Sequence, residues 1–77
     1  MIICINKERV DAQDASKMRV VLQADTTEES ATKPKNGANV QDIEDGAVFY
    51  AGSVMICLQD SKKYLMNSAG EWVEWTA

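Results

Sequence analysis

Few residues in this chain could carry chemistry. Its 77 residues hold two cysteines, Cys4 and Cys57, and no histidine. Two thiols with no histidine and no Cys-x-x-Cys spacing do not make a zinc site. The missing imidazole also removes the commonest general acid–base and the usual catalytic dyads and triads. Neither cysteine has a basic neighbour in sequence to lower its pKa, so an activated thiol is not expected. A Cys4–Cys57 disulfide stays open, since neighbouring strands could bring the two together. The favoured reading makes both small buried hydrophobes, because free cysteine is among the most buried residue types.

Carboxylates cluster at Asp42, Glu44 and Asp45. Such oxygens suit a hard cation, but the spacing does not match an EF-hand loop, and a solvated acidic turn is the better reading. The four glycines (37, 46, 52 and 70) are spaced like turn residues. None opens a phosphate-binding loop ahead of a helix. Enzyme activity is therefore not expected, and neither is a cofactor or a bound metal.

The remaining candidates are aromatic. All five aromatic residues (Phe49, Tyr50, Tyr64, Trp72 and Trp75) lie between Val48 and Trp75. Trp72 and Trp75 are three apart, so on a strand they point to opposite faces. One can fill a core while the other lies on the surface. An exposed tryptophan could stack on a sugar ring or fill a pocket on a protein partner. For carbohydrate the plain core role is preferred; for subunit contact the surface role is.

Short apolar runs separated by polar, glycine-containing breaks organise this half of the chain as an antiparallel meander. Val48-Phe49-Tyr50 is a short strand between Gly46 and Gly52. Val54 to Gln59 is the most apolar strand. It is greasy on both sides, with Val54, Ile56 and Leu58 on one face and Met55 and Cys57 on the other, which predicts cover on both faces. Asp60-Ser61-Lys62 turns the chain, and Lys63 to Asn67 returns. Asn67 to Gly70 turns again, with Gly70 free to take a positive φ. Glu71 to Trp75 closes the meander.

Upstream, Met1 to Ile5 is apolar and β-branched, which favours a strand that Lys7, Glu8 and Arg9 extend along a solvated edge. Asp11 to Ser16 reads as a loop. Met18 to Ala24 is a second strand, with Val20 and Leu22 on one face and Arg19, Val21 and Gln23 on the other. Residues 25–47 carry little grease beyond Val40 and Ile43. Thr26 and Glu29 match a capping box, but no apolar helical face follows. Pro34 and Asn36-Gly37 are turn signals. The segment is either a flexible surface loop or an arm that orders on a neighbouring subunit, with Val40 and Ile43 as anchors.

A single domain over 1–77 is expected: an all-β or mainly-β fold, a small antiparallel sheet or barrel-like unit with a C-terminal meander and an irregular segment at about 25–47. A chain this short buries only about 60% of its unfolded surface, so its stability is modest. Oligomerisation is the favoured supplement.

The formal charge is −4. Residues 1–40 carry six bases and six acids, whereas residues 41–77 carry two bases and six acids. Without a basic cluster, neither nucleic acid nor an anionic membrane surface is an expected partner. The N-terminal apolar run is too short for a signal peptide, and no run reaches the length of a membrane span. The expected location is the cytosol or something assembled there.

Residues 43–54, Ile-Glu-Asp-Gly-Ala-Val-Phe-Tyr-Ala-Gly-Ser-Val, followed by Lys63-Tyr64-Leu65-Met66 and Gly70-Glu71-Trp72-Val73-Glu74, resemble small structural proteins of tailed bacteriophages. The shared pattern is an aromatic strand, a break, an apolar strand, a Lys-x-Tyr strand and a Gly-x-Trp-Val strand. The resemblance implies a virion component such as a capsid decoration, a head fibre or a small head or tail subunit. It also implies partners: further copies of itself, for example as a trimer, and the major capsid or other virion proteins. No functional residue carries over with it. The residues expected at interfaces, from their apolar or aromatic character, are Val40, Ile43, Phe49, Tyr50, Tyr64, Trp72 and Trp75. A small carbohydrate- or protein-binding module using an exposed Trp or Tyr is the alternative. A weaker third reading is a regulator that mimics an acidic surface.

Overall fold

The computed structural model describes residues 1–75. Six strands form one mixed sheet: β1 (Ile3–Arg9), β2 (Lys17–Ala24), β3 (Val48–Phe49), β4 (Val54–Cys57), β5 (Lys62–Met66) and β6 (Trp72–Glu74). The lateral order is β1-β2-β4-β5-β6, and β3 also pairs with β2. The sheet is open, with β1 and β6 at its edges, rather than closed into a barrel.

The expected meander is present as β4-β5-β6, antiparallel throughout. The β1–β2 hairpin is antiparallel too, with a register shift at Ile5 between Cys4 and Asn6. The expectation of a purely antiparallel sheet does not hold at the centre. There β2 runs parallel to β3 (Lys17↔Val48, Met18↔Phe49) and to β4 (Val21↔Val54, Leu22↔Met55).

That parallel junction explains residues 25–47. Antiparallel neighbours can be joined by two residues, but a parallel neighbour requires a crossover long enough to carry the chain back. The segment is that crossover, and it covers one face of this chain's own sheet. The arm reading is corrected accordingly. Val40, offered as an intermolecular anchor, is 6% exposed inside the core, and Ile43 packs on that core from its rim. The N-cap half of the capping box at Thr26 forms: its Oγ1 accepts from the backbone N–H of Glu29 at 3.2 Å and starts a one-turn helix, α1 (Thr27–Ser30), while Glu29 Oε1 accepts from the Thr26 hydroxyl at 3.3 Å. A second acceptor for the helix start comes from Gln59, whose Oε1 takes the Thr27 N–H at 2.8 Å. Short-range capping thus made a helix where no apolar face predicted one.

The crossover is stitched to the sheet at several points. Cys4 donates its N–H to Gln41 O (2.8 Å), and Gln41 returns one to Ile2 O (2.9 Å). Gly37 donates to Ala47 O (2.8 Å) and Phe49 to Lys35 O (3.1 Å). A Cβ on Gly37 would lie 1.8 Å from Glu44 O, so the close backbone approach at this point needs glycine.

Between β3 and β4 the ladder against β2 is interrupted, and a side chain repairs it. The Ser53 hydroxyl is fully buried; it accepts from Val20 N at 3.1 Å and donates to Tyr50 O at 2.6 Å. This satisfies a backbone donor that would otherwise be orphaned. The left-handed Gly52 (φ 91°) turns the chain there.

The core lies between the sheet and the crossover. One ladder row, Cys4–Leu22–Met55–Tyr64, runs through it across four strands, with all four side chains buried. Val20, Ala47, Phe49 and Met66 complete the layer.

Candidate interaction surface

Cross-strand partners share a face of the sheet. The row adjacent to the core row therefore projects to the opposite side. It reads Val21–Val54–Leu65–Val73 across β2, β4, β5 and β6, and on β1 it reaches the bulge at Ile5 and Asn6. The next outer row is Ile3–Gln23–Ile56–Lys63. Trp75 extends it, because its N–H bonds Lys63 O at 2.8 Å.

Among the described residues, nothing covers that face. Val21, Val54, Ile56 and Leu65 are only half-buried, by one another, while Ile5 is 56%, Val73 49% and Trp75 48% exposed. The expectation that the greasiest strand is covered on both sides fails within a single copy: Met55 and Cys57 are sealed, whereas Leu58 is exposed. Isolated exposed hydrophobes are ordinary, but a contiguous apolar row across a whole sheet marks a binding surface.

The expected interface residues separate into two groups. Val40, Phe49 and Tyr64 are buried in the core, at 6%, 5% and 9% exposure, which takes them off the surface. Ile43 and Trp72 are partly buried against it. Tyr50 and Trp75 are exposed, each next to a lysine: Lys17 Nζ lies 5.7 Å from the Tyr50 ring centre, and Lys63 Nζ 4.8 Å from that of Trp75. The two indoles fall on opposite faces, as their spacing predicts. Val21, Val54, Ile56, Leu65 and Val73 were missed as interface candidates. Their signal was present, since each strand alternates in register, but which strands lie side by side was not legible.

The other chemically capable groups are engaged internally. Cys4 and Cys57 are free, buried thiols. Strand β2 lies between theirs, which sets them about 9.6 Å apart laterally, beyond the Cα separation a disulfide spans. Burial pushes the Cys4 thiol above its ordinary value, and nearby Lys7 only partly offsets this. Asp60 is held below the usual carboxylate range, first by a hydrogen bond from the Cys57 thiol. Glu44 is held low by backbone hydrogen bonding and by Lys7, whose Nζ lies 3.3 Å from its Oε1. Among the described residues, no group of three or more His, Cys, Asp or Glu could hold a metal ion. A half-open cleft of about 460 Å3 lies beneath the crossover, lined by residues including Glu29, Lys33, Lys35 and Asn39. Its charges are taken up: Lys33 donates to Ser30 O at 3.1 Å and sits 4.0 Å from the Tyr64 ring centre, Lys35 pairs with Glu71 at 2.9 Å, and the Met1 amine pairs with Glu29.

No helix in the described residues is long and apolar enough to cross a membrane. No family model, curated protein or solved structure matches the chain.

Proposed function

We propose that this chain is a non-enzymatic structural protein that works by association, as a capsid decoration, head-fibre or small head or tail accessory subunit of a tailed-bacteriophage particle. The observation that carries association is the open aliphatic row Val21–Val54–Leu65–Val73. A small domain with one sheet face bare gains stability by covering it. The phage setting rests on the resemblance over residues 43–75, which correspond to β3 through β6 and so include all three strands that build the outer row beside β2.

The alternative, carbohydrate binding, depends on Trp75, the more exposed indole. Lys63 already occupies one side of that ring, which argues against a sugar-stacking platform. Tryptophan fluorescence across a glycan panel should stay unchanged.

The reading is tested by the composition of particles. Mass spectrometry of purified virions encoded with this chain should find it at a fixed ratio to the major capsid protein, and capsid or tail genes should neighbour its own. Absence from washed particles, with metabolic genes on either side, would sink it.

A further inference from the structure

We infer that the outer sheet face is covered by a second copy of this chain, packed face to face about a two-fold axis running along β4. The inference rests on the assembly reading above and names the first partner in it.

Three observations converge. The first is self-complementarity. With strands ordered β1-β2-β4-β5-β6, β4 is the middle column. A two-fold axis along it lays β2 over the partner's β5 and β1 over the partner's β6. In the middle row this sets Val21 on Leu65 and Val54 on its own copy. In the next row it sets Ile3 on Trp75, Ile56 on its own copy and Gln23 on Lys63. At the sheet edge the Ile5–Asn6 bulge lies over the partner's Val73; elsewhere apolar side chains meet apolar ones, and the one cation meets an amide oxygen that can accept from it. An isologous contact requires this reciprocity: residue i on j and j on i.

The second is charge. The chain has 12 acidic residues, yet the two outer rows from β2 to β6 contain none, and their only ion is Lys63. Such a centre suits neither a polyanion nor a strongly charged protein, and it matches the depletion of charge at interface cores.

The third is size. Five strands about 4.8 Å apart and two rows about 6.7 Å apart give a footprint of roughly 24 Å by 13 Å, about 320 Å2 before side-chain relief is counted. Two such faces cover roughly 640 Å2, the size of a weak contact, which fits a dimer that forms only as concentration rises. The product is an aligned two-sheet sandwich, with the crossover of each copy on its outside.

Sedimentation velocity from about 1 μM to about 1 mM brackets the affinity of an interface of this size. The wild-type chain should pass from monomer to dimer. Leu65→Lys and Val21→Glu should each raise the dissociation constant about tenfold or more, since each places a charge at the centre of the contact. Mixing the two variants should restore a heterodimer, because the axis sets those positions against each other. Thermal melts check that both variants fold, and Glu28→Lys on α1, on the opposite side, should leave association unchanged. A wild-type chain that stays monomeric throughout, a trimer, or a dimer indifferent to Leu65→Lys overturns the inference. The particle composition test is unaffected by any of these results, so the two readings fail separately.

Discussion

The indole Nε1–H of Trp72 donates to the carbonyl oxygen of Pro34 at 2.7 Å, which fastens the last strand to the middle of the crossover 38 residues away. Beside it, Lys35 pairs with Glu71 and Lys33 lies over Tyr64. The crossover is thus held by the same strands it covers. Trp72→Phe keeps most of the ring and removes the donor, so it should cost about 1 kcal/mol in urea denaturation. Trypsin should spare the Lys35–Asn36 bond in the wild-type chain and cut it sooner in this variant, whereas Lys33, followed by Pro34, is no trypsin site in either. Equal cutting in both would show that the bond does not hold the segment down.

Ser53→Ala should cost more than a surface change. It leaves Val20 N without an acceptor in a fully buried position, a penalty of roughly 1–3 kcal/mol. Hydrogen exchange at the Val20 amide should accelerate along with the fall in stability. A neutral effect would mean that another acceptor replaces the hydroxyl.

Two turn positions should respond in opposite directions. Gly37→Ala drives a Cβ into Glu44 O and should destabilise by at least about 1 kcal/mol, a typical cost of an unrelieved steric clash. Ser61 has φ 60° in the β4–β5 turn. Ser61→Gly relieves that left-handed strain, less the added freedom of the unfolded chain, for a gain of roughly 0.5 kcal/mol. Chemical denaturation of the two variants side by side checks both signs.

Stability should be flat in the middle of the pH range and fall at both ends. Asp14, Glu44 and Asp60 are held below their ordinary values, first by Ser16, by backbone hydrogen bonding and by Cys57 respectively. The folded state therefore binds fewer protons than the unfolded state in acid, and stability is lost as pH falls below 4.5, the ordinary value for Glu44. Cys4 has the opposite sign. Burial raises its pKa, so the folded state keeps the thiol proton longer, and stability is lost as pH rises above 9.0. Cys4→Val should flatten the alkaline limb and leave the acid limb alone.

The sequence by itself determined the strands. Alternation in Met18–Ala24 separated Val20 and Leu22 from Val21, the polar breaks at Asp60–Lys62 and Asn67–Gly70 set the meander, and the spacing of Trp72 and Trp75 put them on opposite faces. Those are local facts, governed by a two-residue period and by turn chemistry. Only the tertiary structure decided that β4 lies parallel to β2, since pairing direction depends on contacts between residues distant in the chain. From that one choice followed the role of residues 25–47 as a crossover and the burial of Val40, Phe49 and Tyr64. The separation of Cys4 from Cys57 by β2 followed from the same strand order. So did the candidate surface: Val21, Val54, Leu65 and Val73 are unremarkable one strand at a time and become a surface only when the ladder lines them up.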